Sequence, residues 1–204
     1  MFSNPAASHV PFLVHHEFLD PDSVSGLLKF AVSNESRFKP CTVGAGKVGS
    51  KRVALCLREL GSFEHELSDK VLSLAPVLIS QLGVNAFEPS SVEIELVAHG
   101  DGAFYRMHTD TDAGEIRKDR IISGVYYFYA QPRAFAGGAL RLYDIRSMNF
   151  SQYVDIEPTH NAFVAFPSWM PHEVMPVSCR SRMFGNSRFA VNSWLWRKRP
   201  SLKP

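Results

Sequence analysis

The stretch from Ser91 to Trp196 divides into short apolar runs separated by turn residues, and no other feature of the sequence restricts the fold as strongly. Its first run, 91–99, alternates apolar and polar positions, as a strand does when one face is buried. Six more runs have strand character: 104–110, 121–130, 139–143, 163–166, 172–174 and 188–196. About seven or eight short strands at such intervals are typical of an antiparallel β-barrel or jelly roll. We therefore predict a mainly β protein with a barrel core over about 91–197.

Residues 1–90, approximately, contain two helical patterns that we expect to support the barrel. Asp20-Pro21 opens the first helix, because Asp caps helices and Pro fits their first turn. Ser62 is the expected cap of a second helix, which Pro76 should kink or split. Because the sequence shows no internal repeat and no linker, we expect one domain over 1–204.

Charge and cysteine content restrict the partners and the compartment. The net charge is only +2 and no apolar run approaches the length of a membrane span, so neither nucleic acid nor a membrane is an expected partner. The first residues lack the charged and apolar regions of a secretory signal. Cys41, Cys56 and Cys179 are few, odd in number and scattered, unlike a disulfide framework. We expect a cytoplasmic protein with reduced thiols.

His108 and Asp110 stand two positions apart in the run 104–110. Side chains at i and i+2 of a strand point to the same side, so an imidazole and a carboxylate should lie together. They supply two members of the 2-His-1-carboxylate triad that holds Fe(II) and leaves positions open. The same spacing at 15–17 indicates a solvated strand, and at 99–101 it falls in a glycine-rich turn.

A third ligand should come from a distant part of the chain that a barrel places beside the first two. His172 follows the rigid turn 167–171 and opens another strand, which makes it the preferred candidate. His160 is the competitor, but it lies in a polar turn typical of the surface. Two imidazoles and one carboxylate without cysteine argue against structural zinc and leave catalytic zinc open.

The last predicted strand begins with Arg188, whose charge needs an anionic partner if the side chain is buried. By strand parity Arg188, Asn192 and Trp194 share one face. A guanidinium that points into a barrel is costly unless it meets a negative charge, and its planar fork suits a carboxylate.

At this point the sequence resembles the 2-oxoglutarate- and Fe(II)-dependent dioxygenases, within them the prolyl-hydroxylase branch with the oxygen-sensing type and its bacterial relatives. The similarity runs from about Val92 to Trp196 and rests on several motifs in the right order. These are Tyr105-x-x-His108-x-Asp110, Val125-Tyr126-Tyr127, Gly138-Ala139-Leu140-Arg141, Asp155-Ile156-Glu157-Pro158, Pro171-His172-Glu173-Val174-x-Pro176 and Arg188-Phe189-Ala190-x-x-x-Trp194. The resemblance implies a double-stranded β-helix, which is a jelly-roll or cupin-like barrel.

The resemblance also implies roles for individual residues. His108, Asp110 and His172 match the iron ligands of the family. Arg188 matches the arginine that pairs with the distal carboxylate of 2-oxoglutarate, and Tyr127 matches its phenolic helper.

Further positions follow from the same resemblance. Asn192 and Trp194 match residues beside the metal, and His99 falls near a position where relatives place a tyrosine close to the co-substrate. The segment 178–187 is an insertion relative to close relatives. Arg180 and Arg182 lie within it, so either one is an alternative to the arginine of the final strand.

The activity implied by the resemblance is hydroxylation of an unactivated C–H bond with Fe(II), 2-oxoglutarate and O2, supported by ascorbate. The expected substrate is a prolyl residue of a protein or peptide. The alternatives are a free amino acid or natural-product intermediate, and a cupin-like metal-binding module without turnover, since fold does not fix function. Asp110 favours hydroxylation over halogenation, because halogenating relatives lack that ligand.

Overall fold

The computed structural model describes residues 2–3, 9–42, 51–111 and 117–199, and its first helix begins where the sequence predicts. Helix α1 spans Pro21–Ser33. The carboxylate of Asp20 accepts the backbone N–H groups of Asp22 and Ser23, each at 3.0 Å. This cap satisfies two of the N–H groups that every helix start leaves without an intrahelical partner.

The second predicted helix is divided in two, as Pro76 requires. Helix α2 spans Ser62–Ser73 and helix α3 spans Ala75–Leu82. The predicted cap is wrong by one residue, since Ser62 is the first helical residue and Gly61 occupies the cap. Gly61 has a φ of 60°, a conformation that glycine adopts without steric cost.

Fifteen strands lie within the described ranges, and all of their pairings are antiparallel. In chain order they are β1 (Phe2–Ser3), β2 (Leu13–His16), β3 (Lys39–Pro40), β4 (Arg52–Val53), β5 (Leu55–Leu57), β6 (Pro89–His99), β7 (Phe104–His108), β8 (Arg120–Phe128), β9 (Ala136–Gly137), β10 (Leu140–Tyr143), β11 (Tyr153–Ile156), β12 (Ala162–Pro167), β13 (His172–Val174), β14 (Val177–Ser178) and β15 (Arg188–Arg197).

Two sheets form the barrel. The larger has the order β1-β2-β12-β8-β15-β6-β5-β3, and the smaller has the order β11-β10-β13-β7-β4. Strands β9 and β14 pair separately. The predicted strands are therefore present, and short strands from the first 90 residues extend both edges of the larger sheet and one edge of the smaller.

The core has two layers, one on each face of the larger sheet. Between the sheets, Tyr127 and Ala190 of the larger pack in one cluster with Leu140 and Leu142 of the smaller. On the other face, the helices contribute a second cluster, which includes Leu27, Leu67 and Leu78 together with Leu96 and Phe128 of the sheet. The helices thus cover the outside of the larger sheet and leave the space between the sheets for a site.

The cysteine expectation needs correction. Cys41 and Cys56 form a disulfide, and of the three cysteines only Cys179 is free. Strands β3 and β5 are antiparallel neighbours with Lys39 opposite Cys56, and this pairing brings the two sulfurs together. Among the described residues, no helix combines the length and the apolar character needed to cross a membrane.

The segment between the predicted strands 104–110 and 121–130 ends one residue earlier than those bounds indicate. Residues 112–116 lie outside the described residues. Arg117–Asp119 form a 3-10 turn, and Arg120 already belongs to β8.

Candidate active site

His108, Asp110 and His172 meet between the sheets at one end of β7 and β13. These strands pair antiparallel with His172 opposite His108. A distant histidine is thus brought beside the first two residues, as the sequence predicts. Asp110 differs from the prediction because β7 ends at His108 and the carboxylate is held in the following turn. Its Oδ1 lies 3.6 Å from Nε2 of His108, and its Oδ2 lies 3.6 Å from Nε2 of His172. One donor atom from each residue therefore lies within 4.8 Å of the others.

Both imidazoles turn the same nitrogen toward this cluster. Nδ1 of His108 lies 2.9 Å from the carbonyl oxygen of Arg106, and Nδ1 of His172 lies 2.9 Å from that of Met170. A carbonyl oxygen only accepts, so each Nδ1 carries the proton and each Nε2 is left with a lone pair. Metal-binding histidines are usually fixed in this way by the hydrogen bond of their other nitrogen.

The protonation states of this cluster also suit a cation. Burial, and next the neighbouring His108, lower the pKa of His172 to about 4, so its imidazole is neutral near pH 7. Burial acts to raise the pKa of Asp110, but His172, His108 and the hydroxyl of Ser123 outweigh it, and the pKa is lowered. The neutral imidazole of His172 and the carboxylate of Asp110, together with Nε2 of His108, make a donor set that suits Fe(II) with open positions.

Arg188 lies in the same cavity and is 1% exposed. Its guanidinium packs over the ring of Tyr127 at 4.7 Å, and its Nη1 donates to Nδ1 of His99 at 3.2 Å. Burial, and next the charge of Arg188, lower the pKa of His99 well below its usual value, so the ring is neutral. Because Nδ1 accepts, Nε2 of His99 carries the proton.

Four buried polar atoms around Arg188 have no hydrogen-bond partner among the described residues. They are Nε and Nη2 of Arg188, the hydroxyl of Tyr127 and Nε2 of His99. Unpaired buried donors are rare and costly, so such a concentration indicates a missing ligand. All four can donate, and no carboxylate in the described part of the chain is paired with the guanidinium. The group therefore fits one carboxylate of a dicarboxylic co-substrate.

Gly138 permits the close approach of the chain to this arginine. Its φ is +76°, and a Cβ built there would lie 2.6 Å from Cδ of Arg188 and 2.9 Å from Cγ2 of Val177. Any side chain would displace the guanidinium or the strand beside it. Glycine is therefore required for steric reasons at the first position of the motif Gly138-Ala139-Leu140-Arg141.

Asn192 and Trp194 line the cavity with Arg188, so the parity of the final strand is confirmed. The guanidinium of Arg120 lies 4.1 Å over the ring of Trp194 and bonds to Glu93, with Nη2 at 2.6 Å from Oε2. The indole therefore supports an ion pair on the cavity wall, a contact that the sequence did not predict.

The alternatives that the sequence left open lie elsewhere. Arg180 and Arg182 are exposed, and Nε of Arg182 pairs with Asp101 at 3.3 Å. Neither residue lines the cavity. His160 accepts the backbone N–H of Tyr129 at 3.3 Å and is likewise absent from the cavity wall.

Sequence reasoning missed a buried ion pair in the cavity wall. Nη2 of Arg52 lies 2.9 Å from Oε2 of Glu95, and both side chains are buried. The same guanidinium lies 4.9 Å over the ring of Tyr105, which in turn stacks on His108 with ring centroids 3.5 Å apart. A usable signal was the strand parity of β6, which puts Glu95 on the face of His99.

Glu95 also lies beside Cys41 and Cys56, in a group whose donor atoms are within 4.8 Å of one another. The disulfide already uses both sulfurs, and only a free thiolate binds a metal. We therefore assign no metal to that group.

Comparisons with known proteins show the family of this chain. A family model described as 2OG-Fe(II) oxygenase superfamily matches residues 94–196. An uncharacterised PKHD-type hydroxylase from Synechocystis sp. is 34% identical over 187 residues, which cover 89% of this chain and 61% of that protein. The chain thus spans about three fifths of the length of this curated relative.

Solved structures share the fold. A prolyl-4-hydroxylase from Pseudomonas putida has a TM-score of 0.68 and 21% identity, covering 94% of this chain and 95% of that one. A prolyl hydroxylase from Trichoplax adhaerens, solved with a hypoxia inducible factor peptide, has a TM-score of 0.71 and 19% identity, covering 93% and 84%. These likenesses confirm the predicted double-stranded β-helix. Because the family model matches just over half of its residues, the chain belongs to the 2OG-Fe(II) oxygenase superfamily.

Proposed function

We propose that the chain is a single-domain Fe(II)- and 2-oxoglutarate-dependent dioxygenase that hydroxylates a prolyl residue of a protein or peptide. The observation that carries this proposal is the pairing, in one cavity, of the His108, Asp110 and His172 cluster with an uncompensated buried guanidinium. The first suits Fe(II) and the second suits the distal carboxylate of 2-oxoglutarate.

Each part of the site has a task in this reaction. His108, Asp110 and His172 hold the metal, and Arg188 with Tyr127 fixes the co-substrate. Bound Fe(II) and 2-oxoglutarate supply the oxidation, in which O2 is consumed, the co-substrate loses CO2 to become succinate, and one oxygen atom enters the substrate C–H bond. The protein orients these groups and excludes water from them.

The burial of Arg188 speaks against a metal-binding module without turnover. Such a module has no need of an anion partner, and it predicts an arginine that faces solvent. The side chain is instead 1% exposed, and two of its nitrogens have no partner among the described residues. Keeping such a charge buried is costly unless a ligand compensates it.

A structural neighbour supports a polypeptide substrate. The prolyl hydroxylase from Trichoplax adhaerens, which shares the fold with a TM-score of 0.71, was solved in complex with a peptide fragment. By this likeness the substrate is a residue of a longer chain that lies across the mouth of the cavity.

Arg52 offers a contact for such a chain. Its charge is already compensated by Glu95, so the pair does not require an anion. Its buried Nε has no partner among the described residues. A compensated guanidinium with a free N–H suits a neutral acceptor, and peptide carbonyl oxygens are the neutral acceptors that a polypeptide presents most often.

The test combines co-substrate binding with product detection. Protein with Fe(II), ascorbate, 2-oxoglutarate and a panel of proline-containing peptides should form succinate together with a +16 Da peptide. Arg188→Gln should lose both, while Arg182→Gln, which removes a guanidinium paired with Asp101 outside the cavity, should keep them. Failure of the Mn(II)-loaded protein to bind 2-oxoglutarate would refute the dioxygenase proposal. Turnover of free proline with none of any peptide would assign the alternative, a small-molecule substrate.

A further inference from the structure

Two serine hydroxyls form a chain that ends on the carboxylate of the candidate triad. Oγ of Ser123 lies 2.6 Å from Oδ2 of Asp110 and 2.9 Å from Oγ of Ser168. The two serines are 2% and 0% exposed. They come from β8 and from the turn after β12, two elements that carry no member of the triad.

The single proton of each serine hydroxyl sets the direction of these hydrogen bonds. Oδ2 of Asp110 is the acceptor of the 2.6 Å contact, and the hydroxyl of Ser123 is its donor. Ser123 must therefore give its single proton to Oδ2. Ser123 is also oriented as a donor toward Oγ of Ser168, but one hydroxyl has one proton, so both contacts are made together only when Ser168 supplies the proton between the serines. A hydrogen bond to an ionised group is roughly twice as strong as one between neutral groups.

Ser168 holds the same residue a second time through the backbone. Its carbonyl oxygen accepts the N–H of Asp110 at 3.0 Å, and its own N–H donates to the carbonyl of Ile121 at 3.0 Å. Since β7 ends at His108, strand geometry does not place Asp110. These contacts explain why the carboxylate nevertheless faces the two imidazoles.

The two carboxylate oxygens consequently differ. Each oxygen lies 3.6 Å from Nε2 of one imidazole, Oδ1 from that of His108 and Oδ2 from that of His172, but only Oδ2 accepts the proton of Ser123. In the proposed function, on which this step rests, three protein ligands must leave room for a chelating co-substrate and for O2. A carboxylate that bound through both oxygens would occupy one of those positions.

We propose that Ser123 and Ser168 are positioning residues that keep Asp110 a one-oxygen ligand, with Oδ1 toward the metal. Ser123 acts directly, and Ser168 acts by orienting the hydroxyl of Ser123 and by anchoring the turn of Asp110. Outer partners of metal ligands commonly contribute 10- to 100-fold to metal affinity or activity.

Ser193 provides a matched control. It lies on β15, beside β8, and is 3% exposed. Its hydroxyl has no hydrogen-bond partner among the described residues. Ser193→Ala therefore removes the same atom from a similarly buried position without touching Asp110.

The experiment measures metal binding by calorimetry and the visible spectrum of the Co(II)-loaded protein, which reports the number and arrangement of ligands. Ser123→Ala should bind Mn(II) roughly 10-fold more weakly, change the Co(II) spectrum and weaken 2-oxoglutarate binding. Ser168→Ala should show the same changes to a smaller degree, and Ser193→Ala should show none. Melting temperatures identify any variant that fails to fold.

Unchanged Mn(II) affinity and an unchanged Co(II) spectrum in Ser123→Ala would overturn the proposal, and so would equal losses in Ser193→Ala. Should Ser123→Ala not fold, Ser168→Ala decides by the same two readouts. These readouts do not depend on turnover. A wild-type protein that binds Mn(II) without 2-oxoglutarate would refute the proposed function while leaving the metal data to judge the serines.

Discussion

Replacing Gly138 by alanine should weaken 2-oxoglutarate binding while leaving the barrel folded. The new Cβ would lie 2.6 Å from Cδ and 3.1 Å from Nε of Arg188, whereas carbon atoms in favourable contact are about 3.5–4.0 Å apart. The guanidinium therefore has to retreat by roughly 1 Å, enough to break a bidentate hydrogen bond.

Two separate costs follow from the structure. An L-residue in the left-handed conformation costs roughly 1–2 kcal/mol, and Gly138, with a φ of +76°, adds a clash to it. Loss of a hydrogen bond to a charged group costs about 1.5–3 kcal/mol, so the Kd for 2-oxoglutarate should rise roughly 10- to 100-fold.

Gly102 separates these costs, because its φ is +73° and nothing lies within 4 Å of a Cβ built there. Gly102→Ala should lower the unfolding free energy by roughly 1–2 kcal/mol and leave the affinity for 2-oxoglutarate unchanged. Calorimetric titration of both Mn(II)-loaded variants, with urea unfolding in parallel, tests this difference. If Gly138→Ala binds 2-oxoglutarate as the wild type does, or if both variants lose it equally, the steric argument is refuted.

Three further predictions concern groups already described. Tyr127→Phe should not destabilise the fold, since its hydroxyl has no partner among the described residues, yet calorimetry should show 2-oxoglutarate binding weakened roughly 5- to 10-fold. His99 stays neutral in the folded state but gains a proton near pH 6.5 when unfolded, so it lowers stability as the pH falls below 6.5. In urea unfolding between pH 7 and 5, the unfolding free energy of His99→Gln should fall by up to about 1.4 kcal/mol less per pH unit than that of the wild type. Equal slopes for the two proteins would contradict this. Thiol titration of denatured, unreduced protein should detect one thiol, Cys179, and a count of three would contradict the Cys41–Cys56 disulfide.

The sequence predicts those site residues that strand geometry controls. Arg188, Asn192 and Trp194 follow from the parity of a single strand, and all three line the cavity. His172 and His108 lie on strands whose antiparallel pairing sets them opposite each other. For these residues, the alternation of side chains along a strand and the pairing of neighbouring strands are enough to predict their positions.

Other contacts have no local pattern that could reveal them. Arg52 reaches Glu95 across 43 positions because β4 and β6 belong to different sheets that face the same cavity. Cys41 and Cys56 meet only through the pairing of β3 with β5, two strands too short to predict. Ser168 touches the site from a turn, where side-chain direction has no simple period.

The two-layered core has a consequence for how this barrel can be excised or grafted. The family model begins at residue 94, but β6 pairs with β5 and β12 pairs with β2, and both partners precede that residue. A fragment cut at the family boundary would expose two unpaired edges and the apolar face that α1, α2 and α3 cover. Such a fragment is expected to aggregate, so the smallest transplantable unit of this fold has to include its three helices.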